Sequence, residues 1–184
     1  MALTETPLCE FGTTAPHFDL PGTDGKNWTL ETCRGERGVL VMFICNHCPY
    51  VKAIRERLVT DTRELLDHGI RSVAIMPNDP KDYPEDSFEN MKLIAEKFNF
   101  PFPYLFDETQ ETARRYGAVC TPDFFGYNSN LELQYRGRLD AGKTDAPPPG
   151  FTRELFQAMC RIAETGTGPA VQTPSMGCSI KWRK

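Results

Sequence analysis

The chain has 184 residues, of which 40% are apolar and 25% are charged. This composition is typical of one globular domain, expected to span residues 1–184, and it excludes a chain that is disordered along most of its length. The formal net charge is −4 at pH 7, with 21 Lys and Arg residues against 25 Asp and Glu residues. Because the basic residues are scattered and form no stripe, we expect no nucleic-acid partner.

The longest uninterrupted apolar run, residues 39–45, is far shorter than the roughly 20 residues that cross a bilayer. We therefore expect no membrane partner. The first basic residue is Lys26, and the segment before it lacks the apolar stretch of a secretion signal. These features predict a cytoplasmic protein, unless a leader has been removed ahead of the first residue.

The first predicted element is a short β-hairpin within residues 11–33, where glycine, proline and aspartate mark a turn. Residues 39–45 form a β-branched, apolar run that predicts a strand buried on both faces. From Cys48 onward apolar residues recur every three or four positions, which predicts an amphipathic helix ending at Gly69. Residues 70–76 repeat the buried-strand pattern, so strand, helix and strand together predict a parallel βαβ unit.

The second half of the chain is predicted to extend this α/β sheet. Residues 78–101 begin as a polar, proline-rich stretch and continue as a helical pattern, so we expect a helical insertion there. The elements that follow are predicted as a strand at 102–106, a helix at 109–116, strands at 124–127 and 131–138, and a helix at 151–165.

The cysteine pair Cys45 and Cys48 stands between the predicted strand and the predicted helix, with Asn46 and His47 between the two thiols. The positive end of a helix dipole favours an anion and lowers the pKa of a nearby thiol. We expect Cys45 to be nearer the solvent, more acidic and the nucleophile, and Cys48 to resolve the mixed disulfide. His47 is expected to stabilise the Cys45 thiolate.

Two further interpretations of this pair are open. Two core cysteines can flank the start of a helix by accident, although the polar residues Asn46 and His47 between them favour exposure. A structural zinc site needs about four ligands, and the sequence offers no second cysteine pair, so we expect no metal. The total of seven cysteines is odd and the residues are scattered, which argues against a structural disulfide framework.

These motifs resemble those of the thioredoxin superfamily, in particular its redoxin (AhpC/TSA-like) branch. Residues 15–20 resemble the opening Ala-Pro-x-Phe-x-Leu of that branch, and residues 45–49 resemble its redox pair with a following proline. Thr121 and Pro122 resemble the cis-proline loop, which packs against the redox pair and offers backbone groups to a substrate. A peroxiredoxin-like subgroup with a Cys-Asn-His-Cys motif is similar through residues 43–52, 78–86, 120–125 and 174–182.

The resemblance implies a three-layer α/β/α fold with a mixed central sheet, an N-terminal β-hairpin and a helical insertion. It implies thiol-disulfide exchange through Cys45 and Cys48, with Thr121 and Pro122 positioning the substrate sulfur. The implied partners are protein or small-molecule thiols and disulfides and a recycling thiol reductant, and no cofactor is implied.

The sequence also departs from the better-known branches. Thioredoxins carry tryptophan where Ile44 stands. Peroxiredoxins carry Thr or Ser three residues before the reactive cysteine and Pro seven residues before it, where this chain has Met42 and Gly38 before Cys45. A thiol peroxidase is therefore the first alternative rather than the main prediction. A metal-binding domain or metallochaperone is the second alternative, and a protein-binding module with an idle redox pair is the third.

Asp79 is an accessory candidate because it follows the second parallel strand and thus lies at the sheet edge expected for Cys45. From that edge a carboxylate can exchange a proton with Cys48. The other interpretation of Asp79 is a solvated turn before Pro80.

Two further cysteines are accessory candidates. Cys120, two residues before the proline of the expected loop, is either a buried core thiol or a participant in the redox chemistry. Cys178 lies between Gly177 and Ser179, which predicts an exposed, adaptable segment. It is either a third thiol that exchanges with Cys45 or an inert thiol on a docked tail.

Overall fold

The structure, a computed structural model, describes residues 3–184. Within these residues no helix has both the length and the apolar character needed to cross a membrane. The strands are β1 (Leu3–Glu5), β2 (Asp19–Pro21), β3 (Asn27–Thr29), β4 (Gly38–Phe43), β5 (Ile70–Met76), β6 (Tyr104–Phe106), β7 (Cys120–Thr121), β8 (Asp123–Asn128), β9 (Leu133–Tyr135) and β10 (Met176–Ser179). The α-helices are α1 (Leu30–Cys33), α2 (Pro49–Leu65), α3 (Phe88–Lys97), α4 (Glu111–Tyr116) and α5 (Glu154–Thr165).

The central sheet has five strands in the order β6-β5-β4-β8-β9. Strand β4 runs parallel to β5, and β5 runs parallel to β6, whereas β8 and β9 are antiparallel to their neighbours. The predicted parallel βαβ unit and the mixed sheet are therefore confirmed. The C-terminal ends of β4 and β5 lie together at one edge of the sheet, where the cysteine pair follows β4.

Strand β4 is uniformly apolar because each of its faces meets a separate hydrophobic core. Leu40 and Met42 pack with residues of α2, α3 and α5. Val41 and Phe43, on the opposite face, pack with residues of α1, α4 and the segment before β2. The helices on the two faces make three layers, which confirms the thioredoxin-like α/β/α fold.

The smaller predicted elements are also present. Strands β2 and β3 pair antiparallel as the N-terminal hairpin. The insertion contains a 3-10 turn at Pro84–Asp86 followed by α3. Helix α2 continues into a short 3-10 turn and ends at Gly69, whose φ of +75° lies in the left-handed region that glycine adopts without strain.

A second sheet of three strands was not predicted. It has the order β1-β10-β7, and both pairings are antiparallel. Its strands are two to four residues long, too short for a period of two residues to be visible in the sequence. This sheet places the C-terminal strand β10 directly beside β7, and in its register Cys178 lies opposite Thr121.

Candidate active site

The cysteine pair lies in the connection between β4 and α2. Strand β4 ends at Phe43, two residues before Cys45 and earlier than predicted, although the Ile44 N–H still donates to the Ile75 carbonyl at 3.1 Å. Cys48 is the N-cap residue of α2, and Pro49 occupies its first turn, where a missing N–H removes no hydrogen bond. The positive end of the α2 dipole therefore acts on Cys48 rather than on Cys45.

Both cysteines of the pair are buried, so the solvent exposure expected at Cys45 is not present. The exposed fraction is 1% for Cys45 and 0% for Cys48. The intervening Asn46 and His47 are buried as well, although their polarity favoured exposure. The physical reason is hydrogen bonding, since the Asn46 side chain donates to the Glu85 carbonyl of the insertion at 2.8 Å and accepts from the Tyr104 hydroxyl of β6 at 3.1 Å.

Thr121 contacts both thiols of the pair. Its hydroxyl lies 3.2 Å from Cys45 Sγ, and its carbonyl oxygen lies 3.2 Å from Cys48 Sγ. The Thr121-Pro122 peptide bond is cis, as the resemblance implies. Two groups of one residue thus fix the positions of the two sulfurs.

Cys178 brings a third sulfur to the site. Its Sγ lies 3.0 Å from Cys48 Sγ. The expected exposure of Cys178 is wrong, because β10 lies between β1 and β7 and leaves the side chain buried. The sulfur that it contacts is that of Cys48, whereas Cys45 was the expected exchange partner.

The three thiols differ in acidity, and burial together with the hydrogen bond to Cys48 raises the pKa of Cys178 to about 12. The pKa of Cys48 is lowered to about 5, mainly because the Cys45 thiol donates a hydrogen bond to its sulfur. Burial acts in the opposite direction, and hydrogen bonds from the Cys178 thiol and the Val51 N–H add to the lowering. Burial, donation to Cys48 and the Asp86 carboxylate raise the pKa of Cys45 well above its ordinary value. The predicted order of acidity is therefore wrong. The reason is that the Cys45 thiol donates to Cys48, which favours the negative charge on the second sulfur of the pair.

Asp86 is a site residue that the sequence analysis missed. It is fully buried, and its Oδ1 accepts hydrogen bonds from the backbone N–H groups of Asn46 at 2.8 Å and His47 at 3.1 Å. Its Oδ2 accepts from His47 Nδ1 at 2.6 Å and from Asn78 Nδ2 at 2.9 Å. Burial acts to raise the pKa of Asp86, but the bonds from His47 and Asn78 outweigh it, and the net shift is downward. The carboxylate thus fixes the loop between the two cysteines.

His47 is oriented by its neighbours in the insertion. Its ring stacks on Tyr83, with centroids 4.3 Å apart and an interplanar angle of 20°. Its Nδ1, which donates to Asp86, also lies 3.7 Å from Cys45 Sγ. Its Nε2 is buried and has no hydrogen-bond partner within residues 3–184. The Nδ1–H group therefore makes its short hydrogen bond to the Asp86 carboxylate, and its contact with the Cys45 sulfur is longer.

Asp79 has its contacts outside this arrangement, which favours its interpretation as a turn residue over proton exchange with Cys48. Its carboxylate accepts from the Lys81 N–H at 3.1 Å and lies 3.9 Å from the guanidinium of Arg183. Asp79 thus lies in a turn before Pro80, and the buried acid of the site comes from seven residues further along the chain. The sequence offered one signal for it, because Asp86 ends the segment 78–86 that resembles the peroxiredoxin-like subgroup.

Cys120 is fully buried in β7, and its thiol donates to the Pro122 carbonyl at 3.5 Å. Burial raises the pKa of this thiol, and nearby negative charges add to the effect. This environment fits the core-thiol interpretation of Cys120.

Cys45, His47 and Asp86 offer ligand atoms that all lie within 4.8 Å of one another, a set able to hold a metal ion. The 2.6 Å hydrogen bond between His47 and Asp86 accounts for their closeness without an ion. The chemistry that the geometry supports directly is exchange among sulfur atoms, since the Cys48 sulfur is in contact with two other thiols.

The sequence profile of the AhpC/TSA family matches residues 11–141 of the chain, which include β2 to β9 and the cysteine pair. A curated relative is the thiol-disulfide oxidoreductase ResA of Geobacillus thermodenitrificans (strain NG80-2). It is 27% identical over 135 residues, and the alignment covers 71% of each chain.

Two solved structures are similar over almost the whole chain. One is described as an uncharacterized conserved protein from Geobacillus kaustophilus, with 42% identity, a TM-score of 0.93, and coverage of 100% of this chain and 97% of that chain. The other is a hypothetical protein from Sinorhizobium meliloti 1021, with 35% identity, a TM-score of 0.89 and coverage of 98% of both chains. The fold, including its C-terminal strand region, is therefore shared with these two proteins.

Proposed function

The chain belongs to the AhpC/TSA family, and from this premise we propose that it is a thiol-disulfide oxidoreductase that acts through a dithiol-disulfide couple of Cys45 and Cys48. The observation that carries the proposal is the contact of both sulfurs with Thr121, beside the cis-proline. The name of the curated relative, a thiol-disulfide oxidoreductase, supports the same activity.

The first step is an attack by Cys45 on a substrate disulfide. In the resting site the negative charge lies on Cys48, whose pKa is about 5, and the Cys45 thiol donates to that sulfur. Cys48 therefore accepts the Cys45 proton as Cys45 forms a bond to one substrate sulfur. The substrate S–S bond breaks, and its second sulfur leaves as a thiolate that takes the proton from Cys48.

The second step closes the internal disulfide. The Cys48 thiolate attacks Cys45 Sγ in the mixed disulfide, the bond to the substrate breaks, and the second substrate thiolate leaves. Two electrons have then passed from the cysteine pair to the substrate. A thiol reductant returns the pair to the reduced state by the reverse chemistry, and the physiological direction depends on the potentials of the partners.

The surrounding residues have positioning roles in this proposal. The Thr121 hydroxyl donates to the developing Cys45 thiolate, and its hydrogen bond lowers the pKa of that thiol. His47 directs an N–H toward the same sulfur, and Asp86 fixes the ring. Pro122 continues the loop that faces the sulfurs.

The experiment is a single-turnover reaction of the reduced full chain with oxidised glutathione, quenched with acid and followed by alkylation and mass spectrometry. We expect the wild-type protein to gain a disulfide within residues 38–52, the tryptic peptide that holds both cysteines. The Cys48→Ser variant should accumulate glutathione on Cys45, because the resolving thiol is gone. The Cys45→Ser variant should form no disulfide inside that peptide.

The control variant is Cys160→Ser, which removes a half-buried thiol of α5 and should react as the wild type does. A parallel reaction with hydrogen peroxide tests the peroxidase alternative. If peroxide is consumed much faster than oxidised glutathione and Cys45 passes through a sulfenic acid, the exchange function is wrong and the peroxidase function takes its place.

The compartment forms part of the proposal. An odd number of cysteines, scattered through the chain and free in the structure, suits a reducing compartment such as the cytoplasm. The partners in that compartment are thiols and disulfides of proteins or small molecules, together with the recycling thiol reductant.

A further inference from the structure

Strand β10 places a third cysteine beside the redox pair. Strand β10 pairs with β7 in a register that sets Cys178 opposite Thr121, the residue that contacts both sulfurs of the pair. The Sγ atoms of Cys178 and Cys48 are 3.0 Å apart. A disulfide bond is about 2.05 Å long, so a shift of about 1 Å joins the two sulfurs.

The strand is held on both sides of Cys178. Before it, the Ser175 hydroxyl donates to the Pro122 carbonyl at 2.8 Å. After it, the Lys181 N–H donates to Asn78 Oδ1 at 2.9 Å, and Asn78 in turn bonds to Asp86. Hydrogen bonds on both sides of β10 therefore connect it to the cis-proline loop and to the Asn78–Asp86 network at the redox pair.

Gly177 is the residue that permits this close approach. A Cβ atom at this position would clash with the carbonyl oxygen of Thr121 and lie 3.0 Å from Pro122 Cδ. Both of those atoms belong to the loop beside the redox pair, so the clash has no flexible side chain to absorb it. The small residue before the cysteine therefore fits the docking of β10 on β7.

Strand β10 also occupies the edge of β7. An extended peptide that adds to a sheet does so through the backbone groups of a free edge. The β7 edge beside the redox pair is already paired with β10, and β10 is covered in turn by β1. The sulfur beside the redox pair at this edge is therefore that of Cys178, and not that of a bound peptide.

We propose that Cys178 is a third redox residue, which exchanges with the Cys45–Cys48 disulfide through Cys48 to form an internal Cys48–Cys178 disulfide. The inference rests on the proposed function, because that function generates the Cys45–Cys48 disulfide. Strand β10 thus occupies the place of a substrate peptide, and its Cys178 is oxidised by the Cys45–Cys48 disulfide of the same molecule.

The exchange needs no external oxidant. The Cys178 thiolate attacks Cys48 Sγ of the Cys45–Cys48 disulfide, the bond between Cys45 and Cys48 breaks, and Cys45 leaves as a thiolate. One disulfide and one thiolate are present before and after the step, so electrons and atoms balance. The Cys178 proton passes to the departing Cys45 sulfur or to solvent. The result is an oxidised protein whose Cys45 is free to attack again.

The test uses the full chain, oxidised in a buffer of oxidised glutathione, quenched with acid, alkylated and digested with trypsin without reduction. Residues 38–52 carry both cysteines of the pair, and residues 162–181 carry Cys178 as their one cysteine. We expect two products from the wild type, an internal disulfide in the first peptide and a cross-link between the two peptides with Cys45 alkylated.

Variants separate the steps. The Cys45→Ser variant cannot make the Cys45–Cys48 disulfide from which the exchange starts, so it should form the cross-link far more slowly than the wild type. The Cys178→Ser variant should form the internal disulfide alone. The Gly177→Ala variant keeps all three thiols but displaces β10, so it should lose the cross-link and keep the Cys45–Cys48 disulfide. The matched control is Val171→Ala, an exposed position of the same C-terminal segment, which should yield both products.

The outcomes distinguish this inference from the proposed function. The inference is overturned if the wild type forms the Cys45–Cys48 disulfide but never the Cys48–Cys178 cross-link, both during oxidation and during reduction of the oxidised protein. The proposed function is unaffected by that result. Absence of both products overturns both. A cross-link without any Cys45–Cys48 disulfide supports the contact of Cys178 with Cys48 and overturns the two-cysteine couple. If a variant does not fold, the wild-type products decide the matter.

Discussion

The Cys178 sulfur lies 3.0 Å from the Cys48 sulfur, although 130 residues separate the two cysteines in the chain. The contact depends on the antiparallel pairing of β10 with β7, which sets Cys178 beside Thr121. Cys48 consequently lies at the centre of a group of three thiols rather than in a simple pair. The lowered pKa of Cys48 and its proposed exchange with Cys178 follow from that arrangement.

The first prediction concerns the pH dependence of exchange. Because the pKa of Cys48 is lowered to about 5 and its thiolate accepts the Cys45 proton, the single-turnover rate with oxidised glutathione should rise through pH 5 and then level off. The Cys48→Ser variant lacks this base, and its rate should rise only at the higher pH where thiols ionise, about 8.5 or above. The measurement is the rate of mixed-disulfide formation from about pH 4 to about pH 10, a range that includes both of these pKa values.

The second prediction concerns the Thr121 hydroxyl, which is 3.2 Å from Cys45 Sγ and lowers its pKa. Thr121→Val removes the hydroxyl and keeps the branched shape. The net value of a hydrogen bond, about 0.5–1.5 kcal/mol, predicts a rate of attack by Cys45 that is about two- to tenfold slower.

Thr62→Val is the matched control for Thr121, because the Thr62 hydroxyl is also buried but bonds the Leu58 carbonyl inside α2. It should change the free energy of unfolding and leave the rate unchanged. Equal rates for Thr121→Val and the wild type would show that the hydroxyl does not assist the thiolate.

The third prediction concerns Asp86, whose carboxylate accepts four hydrogen bonds from the loop and from Asn78. Asp86→Asn should destabilise the fold at neutral pH and lower the pKa of Cys45, because the buried carboxylate raises that pKa. The folded-state pKa of Asp86 is lowered, so its stabilising contribution is present above the unfolded value of about 3.9 and is lost as the pH falls through the folded value.

The difference in unfolding free energy between the wild type and Asp86→Asn should therefore shrink as the pH falls below about 4. Urea unfolding at several pH values measures it. Asp79→Asn is the control, since this half-buried carboxylate lies in a turn outside the site and should have a small effect. A difference that stays constant with pH would mean that the Asp86 charge does not stabilise the fold.

The fourth prediction concerns the ion pair behind the cis-proline loop. Asp123, which follows Pro122, is fully buried and accepts from Arg136 at 3.0 Å. Arg136→Met leaves this carboxylate without its partner, which should cost about 3–5 kcal/mol of stability. Arg138→Met breaks a partly exposed pair with Glu154 and should cost about 1 kcal/mol or less. Urea unfolding measures the loss of unfolding free energy in each variant. Equal losses in the two variants would show that burial of the Asp123–Arg136 pair does not increase the cost of breaking it.

The middle strands of the central sheet, β4, β5 and β8, could be predicted because they are six or seven residues long and mostly buried. Residues 70–76 are apolar except for Arg71 and Ser72, and β5 has these same bounds in the structure. Gly69 and Gly117 mark helix ends through a backbone conformation that glycine adopts readily, and both have positive φ values. These are local signals, which a single sequence contains.

The site was predicted less completely because its geometry depends on distant segments. The cysteine pair is visible in the sequence, but its burial is imposed by the insertion and by the C-terminal strand. Asp86 and Asp79 are both polar residues of one loop, and only the fold decides which of them turns inward. The strands β1, β7 and β10 are too short for a periodic pattern, so the position of Cys178 beside Cys48 follows from tertiary pairing alone.

The most direct test of the proposed function is a redox titration of the full chain in graded glutathione buffers, with acid quenching, alkylation and mass spectrometry of the seven cysteines. We predict that a Cys45–Cys48 disulfide forms as one two-electron couple, that the Cys48–Cys178 cross-link is the other oxidised product, and that Cys9, Cys33, Cys120 and Cys160 stay reduced over the same range. A titration in which Cys45 and Cys48 never pair with one another would contradict the proposed function.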